Sequence, residues 1–215
     1  QDQNSDYVDA NLADETLINL RVDFMVFMNA AGAVVYAKAV DPISETETGL
    51  PPDLYQHIAP DSLLLQHQSN ESSTAGLLQL SSGPIIIASQ PVTMNNYQGT
   101  IQGTLIFGRY LNDAIIQRVS EELELNVAVE PYSRTTSADF TRARASFAET
   151  PAPILPLDNQ NVAGYATLTD IYGQPSLILR VDTPNKIAQQ GQTSFSFFLV
   201  AMLVSGLAVG LSIVF

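Results

Sequence analysis

Phe195–Phe215, FSFFLVAMLVSGLAVGLSIVF, constrains this chain more than any other stretch. It carries no charged residue, and its polar side chains are Ser196, Ser205 and Ser212. At ~1.5 Å rise per residue, a helix of this length crosses a hydrocarbon core of ~30 Å. A helix also satisfies its own backbone hydrogen bonds, which lipid requires. The run is read as a transmembrane helix. It ends with the chain, so further sequence is expected beyond Phe215. The 194 residues ahead of it are enough for one large domain or two small ones.

Nine Lys and Arg stand against 22 Asp and Glu, a net charge of −13. Such a surface repels nucleic acid and anionic headgroups, so no nucleic-acid partner is expected. There are no cysteines, which excludes disulfides and thiol chemistry. A Lys-poor domain ahead of a span fits the non-cytoplasmic side. The chain opens abruptly at Gln1 without a signal-peptide pattern, and truncation is expected there.

Residues 1–20 read as the end of a helix, with Tyr7, Val8, Leu12, Leu17 and Leu20 near helical spacing. Val22–Met28 and Ala33–Lys38 are rich in β-branched and aromatic residues, with the loop Asn29–Gly32 between them, so they read as a hairpin. A polar stretch from Asp41 to Leu50 leads to Pro51-Pro52 and two short helices, over 53–58 and 61–66. Strands follow over 76–80, 84–93 and 100–110, joined by turn-rich sequence. Short turns make neighbours antiparallel. Helix, two strands, helical connection and three strands is the order of a PAS-like sensor domain. Beyond it, Asn112 is placed to cap a helix over 113–123, and Ser137 or Asp139 to open one over 137–147. A strand over 126–130 and a hairpin, 162–169 with 176–182, complete a small sheet. Leu177, Leu179 and Val181 alternate with Ile178, Arg180 and Asp182, which predicts one wet face. The expected fold is α+β: a PAS/Cache-like antiparallel sheet over 1–110, a smaller membrane-proximal α/β region over 111–190, and a transmembrane helix over 195–215.

Tyr7-Val8, Asn11-Leu12, Thr16-Leu17, VDFMVFMNAAGAVVYAKAVD (Val22–Asp41) and DIYGQPSLILRVDTP (Asp170–Pro184) together resemble the CHASE4 extracytoplasmic sensor domains. The resemblance covers nearly the whole chain; its two end blocks are the specific part. It implies a bacterial or archaeal receptor in the cell membrane, with a periplasmic or extracellular sensor. It also implies an output downstream, such as a histidine kinase or a diguanylate cyclase of c-di-GMP signalling. The chain departs from the family in two places. The tryptophan-rich helical block that usually opens the family is absent, and Asn185 stands where the family often has Arg.

No catalytic constellation is visible. A phosphate-cradling Gly-rich loop and a G-x-S-x-G elbow are both missing, and no cofactor is expected. The rival reading, a membrane-tethered hydrolase, lacks a convergent nucleophile and base. His57 and His67, ten apart in a polar stretch, read as surface histidines rather than metal ligands. The ligand candidates come from the first sheet. Tyr36 and Lys38 lie two apart, hence on one face, with Asp41 just beyond. A cation beside a phenol suits a carboxylate. Arg109, at the end of the fifth strand, and Tyr97, in the turn before it, complete the set. The partner is a small molecule or a protein.

One span cannot report rotation or spacing without a reference, so a homodimer is expected. Gly206 and Gly210 form a small-xxx-small face suited to helix contact. Cysteines introduced singly along Val200–Ser212 are predicted to crosslink in native membranes with a helical period. Crosslinking at no position would contradict the dimer.

Overall fold

The structure, a computed structural model, describes residues 14–41, 44, 46–94, 98–158 and 160–184. The expected transmembrane run, Tyr97 and the Gly206–Gly210 pair lie outside them. Among the described residues no helix is long and apolar enough to cross a membrane. The chain divides into two compact units. Among the described residues, the first takes in those up to Ile116 together with Leu168–Leu177; the second takes in Gln117–Thr167 and residues 178–184.

The first unit opens with helix α1 (Asp14–Leu20). Six antiparallel strands follow: β1 (Phe24–Asn29), β2 (Val34–Asp41), β3 (Thr46–Thr48), β4 (Thr74–Leu80), β5 (Gly83–Met94) and β6 (Gln98–Tyr110). Their order in the sheet is β3-β2-β1-β6-β5-β4. The connection between β3 and β4 holds α2 (Leu54–His57) and a 3-10 turn at Leu63–Leu65. This reproduces the expected helix, hairpin, helical connection and three strands. β3 is the exception, since no strand was expected in the polar stretch from Asp41 to Leu50. Its three residues are all exposed, and it is held by backbone pairing to Ala39–Asp41 rather than by a buried face.

β1 explains the layering. Phe24, Val26 and Met28 face one way and pack with Leu54, Ile58 and Leu64 of the connection and with Leu78, Ile85, Ile87 and Ile106 of the sheet. Met25 faces the other way and packs with Leu17 of α1 and Val40. A strand covered on both faces loses the simple alternation of a half-buried one, and FMVFM has none. Each large apolar side chain so buried contributes about 1.5–3 kcal/mol.

The second unit has a four-stranded sheet of order β7-β10-β9-β8, from β7 (Asn126–Pro131), β8 (Ile154–Pro156), β9 (Asn161–Thr169) and β10 (Pro175–Pro184). The tip of the β9–β10 hairpin falls in the first unit, and the rest of both strands in the second. Helix α3 (Asp113–Leu123) is capped as expected, the Ile115 amide donating to Asn112 Oδ1 at 3.1 Å. Helix α4 (Ala138–Ser146) is opened differently. The Ser137 hydroxyl donates to Glu130 Oε1, and the Thr136 amide reaches Glu130 Oε2 at 2.7 Å. A carboxylate from β7 thus serves the helix start, a partner that no local pattern announces.

The expected wet face of β10 is not wet. Arg180 lies over the Phe140 ring, 5.3 Å from its centroid, and its Nη1 donates to Asp139 Oδ2 at 2.9 Å. Its Nε lies 2.8 Å from Asp182 Oδ1, and the Tyr165 hydroxyl donates to Asp139 Oδ2 at 2.9 Å. α4 covers the charged side of the strand. Burial alone would raise the Asp139 carboxyl, but the hydrogen bonds from Arg180 and Tyr165 hold it below the usual carboxylate range. Burial and the neighbouring Asp139 push the Tyr165 phenol up.

β1 and β6 approach unusually closely. A Cβ built on Gly103 would stand 2.1 Å from the Met28 carbonyl oxygen, a backbone atom that cannot swing aside. Gly49, in the same unit, has nothing within 4 Å of that position. Gly103→Ala is predicted to cost about 1–3 kcal/mol or more, while Gly49→Ala stays within about 0.5 kcal/mol of the parent. Equal unfolding midpoints in urea for the two variants would contradict this packing.

Candidate functional site

A cavity of about 350 Å³ opens at the loop end of the first sheet. Its walls are the β1–β2 loop, the stretch after α2, and β6 near Thr104. Asn29 builds the loop wall. Its Oδ1 accepts the amides of Ala31 and Ala33, each at 3.0 Å, and its carbonyl accepts the Gly32 amide at 2.9 Å. Gly32 takes φ +75°, the left-handed conformation that the sequence leads one to expect there.

The stretch after α2 is pinned to the sheet. The Ser89 hydroxyl donates to the Leu64 carbonyl, and Asn70 Nδ2 donates to the Gly99 carbonyl at 2.7 Å. His67 Nε2 lies 3.0 Å from Thr104 Oγ1. His67 Nδ1 is buried and has no hydrogen-bond partner among the described residues. Burial pushes the imidazole below its ordinary range, so it is neutral at physiological pH. His67 is therefore not the surface histidine that its polar surroundings in sequence imply. The apolar residues flanking it, Leu63–Leu65, draw the segment onto the sheet. His57 is likewise engaged: its Nδ1 lies 2.8 Å from the Tyr172 hydroxyl, and the rings are stacked at a tilt 5.6 Å apart. The same tip of the β9–β10 hairpin packs Ile171 against the first core and donates the Ile171 amide to the Leu77 carbonyl at 2.9 Å. Among the described residues no group of three or more His, Asp or Glu is placed to hold a metal.

The residues singled out in the sequence lie elsewhere. Tyr36 and Lys38 do share a face. They stand opposite Phe27 and Met25 on the side of the sheet that α1 covers. Phe27 and Tyr36 meet edge to face at 6.2 Å. Arg109, in alternation with Leu105 and Phe107, falls on that same side. Asp41, at the end of β2, and Arg109 both act electrostatically on Asp23. None of these lines the cavity. Asp23 was missed in the sequence. It is buried just ahead of β1, and its Oδ2 accepts the Tyr110 amide at 2.6 Å. Burial raises its carboxyl despite that bond and the Arg109 charge. Its role is structural: it ties the start of β1 to the end of β6. The only available hint is a carboxylate set immediately before an apolar strand, VDF.

The CHASE4 domain family matches residues 1–130. The chain belongs to the CHASE4 family. It is an extracytoplasmic sensor domain of a membrane receptor, as the end blocks imply. The methanogenesis regulatory histidine kinase FilI of Methanothrix harundinacea (strain 6Ac) is 25% identical over 210 residues. That match takes in 95% of this chain but only 23% of FilI. Among solved structures, the CHASE4 chain is similar to a domain assigned to the sensory box/GGDEF family from Vibrio parahaemolyticus (11% identity, 88% of this chain and 86% of that one, TM-score 0.49). It is also similar to the periplasmic domain of Vibrio cholerae LuxQ (12% identity, 86% and 81%, TM-score 0.44).

Proposed function

We propose that this CHASE4 domain senses a small molecule in the loop-end cavity and passes the signal through a C-terminal span to an intracellular output. The carrying observation is the cavity itself, which sits on the face of the sensor sheet covered by the helical connection. With the short β3 set aside, the order β2-β1-β6-β5-β4 supports a PAS-like core. The name of the FilI relative supports a histidine kinase as output, and the domain itself is non-catalytic in this reading. Residues 111–190 form the membrane-proximal part, and Phe195–Phe215 is the span through which two copies pair.

The face bearing Tyr36, Lys38 and Arg109 is, in this reading, packing surface for the N-terminal helix. Ala30 is an exposed loop residue on the cavity wall. In the full-length receptor, Ala30→Trp is predicted to make output insensitive to signal while the domain's unfolding temperature is unchanged. A Lys38→Ala receptor should keep its response. The opposite pattern, a responsive Ala30→Trp and a silent Lys38→Ala, would move the site to the α1 face.

A further inference from the structure

We infer that the cavity takes a small organic cation, a primary or secondary ammonium, in preference to a carboxylate. This rests on the reading of the cavity as the sensing site. An anion is best held by a cation or by a nest of loop amides. None of the described lining residues is Lys or Arg. The loop amides of Ala31, Gly32 and Ala33 all end on oxygens of Asn29. Gln66 Nε2 is held by the Asp61 carbonyl at 2.8 Å. The loop is therefore no anion nest, although a Gly-containing turn beside a cavity is where one is often found.

Acceptors remain. Gln66 keeps its side-chain oxygen. His67 Nε2 is engaged with Thr104 Oγ1 at 3.0 Å, and its buried Nδ1 has no partner among the described residues. Asp61, an exposed residue, lines the same cavity and brings the counter-charge that an ammonium requires. The net charge of −13 further raises the local concentration of cations. The sequence suggested the reverse, a carboxylate held by Lys38, because the residues that build this cavity are separated in the chain and carry no cation to draw notice.

Asp61 makes the test clean. Its φ is +68°, a conformation that asparagine tolerates, and the bond from Gln66 goes to its backbone carbonyl. Asp61→Asn thus removes the charge without disturbing the fold. The full chain, in detergent or nanodiscs, would be probed with methylammonium, ethanolamine and putrescine against acetate and succinate at matched ionic strength. Thermal unfolding and calorimetric affinity are the readouts. Ammonium probes should raise the unfolding temperature and carboxylates should not. Asp61→Asn should weaken the best ammonium by about tenfold or more, the loss of a charge-assisted contact, with an unchanged ligand-free unfolding temperature. If carboxylates bind and Ala30→Trp abolishes that binding, the cation preference falls and the cavity reading stands. If ammonium binding survives Ala30→Trp and Asp61→Asn alike, the cavity is not where it binds. Absence of any ammonium effect at millimolar concentration overturns the inference.

Discussion

The first unit depends on how closely β6 lies against β1. Gly103 and Gly108 have no side chains because the Met28 carbonyl and the Phe24 ring occupy the space a Cβ would need. That approach fixes the register, Phe24 opposite Gly108 and Met28 opposite Thr104. With the register fixed, Thr104 and Ile106 come to the face covered by the helical connection, and Leu105 and Phe107 to the face covered by α1. A slip by one residue would exchange the two faces and expose both cores. Asp23 secures one end of this arrangement through the Tyr110 amide.

The cavity is a consequence of the same register. Thr104 stands near the end of the stretch of β6 that pairs with β1. The connection is anchored there by His67 on Thr104 and by Ser89 on the Leu64 carbonyl. Between these anchors and the Asn29 loop the chain leaves about 350 Å³ unfilled. Its character follows from where the donors go. Asn29 engages the amides of Ala31, Gly32 and Ala33 to hold a tight turn.

Much of this fold was legible in the chain. The FMVFM strand, the Asn29–Gly32 turn, the Asn112 cap and the 84–93 and 100–110 strands carry local signals, and they stand where those signals put them. β3 and β8 escaped because three-residue edge strands take their conformation from a partner's backbone. The charged side of β10 was misjudged because the sequence does not show that α4 will lie on it, with Phe140 under Arg180. The cavity was illegible for a related reason. Asn29, His67 and Thr104 are far apart in sequence, and each alone is an ordinary polar residue. Lys38 drew attention because it is a cation in an acidic chain, although its strand parity faces α1.

The protonation of His67 tests the central claim most directly. It can be followed through the imidazole nitrogen resonances of the labelled chain as pH is lowered. The account predicts a neutral ring whose midpoint lies below the ordinary 6.5, because charging it in place costs desolvation. Above that ordinary value the folded and unfolded chains bind no proton there. As pH falls below it, the unfolded chain binds first, so this residue makes the fold less stable in acid. A His67 midpoint at or above 6.5 would contradict the account, since it would put a cation in a wall that is argued to hold none.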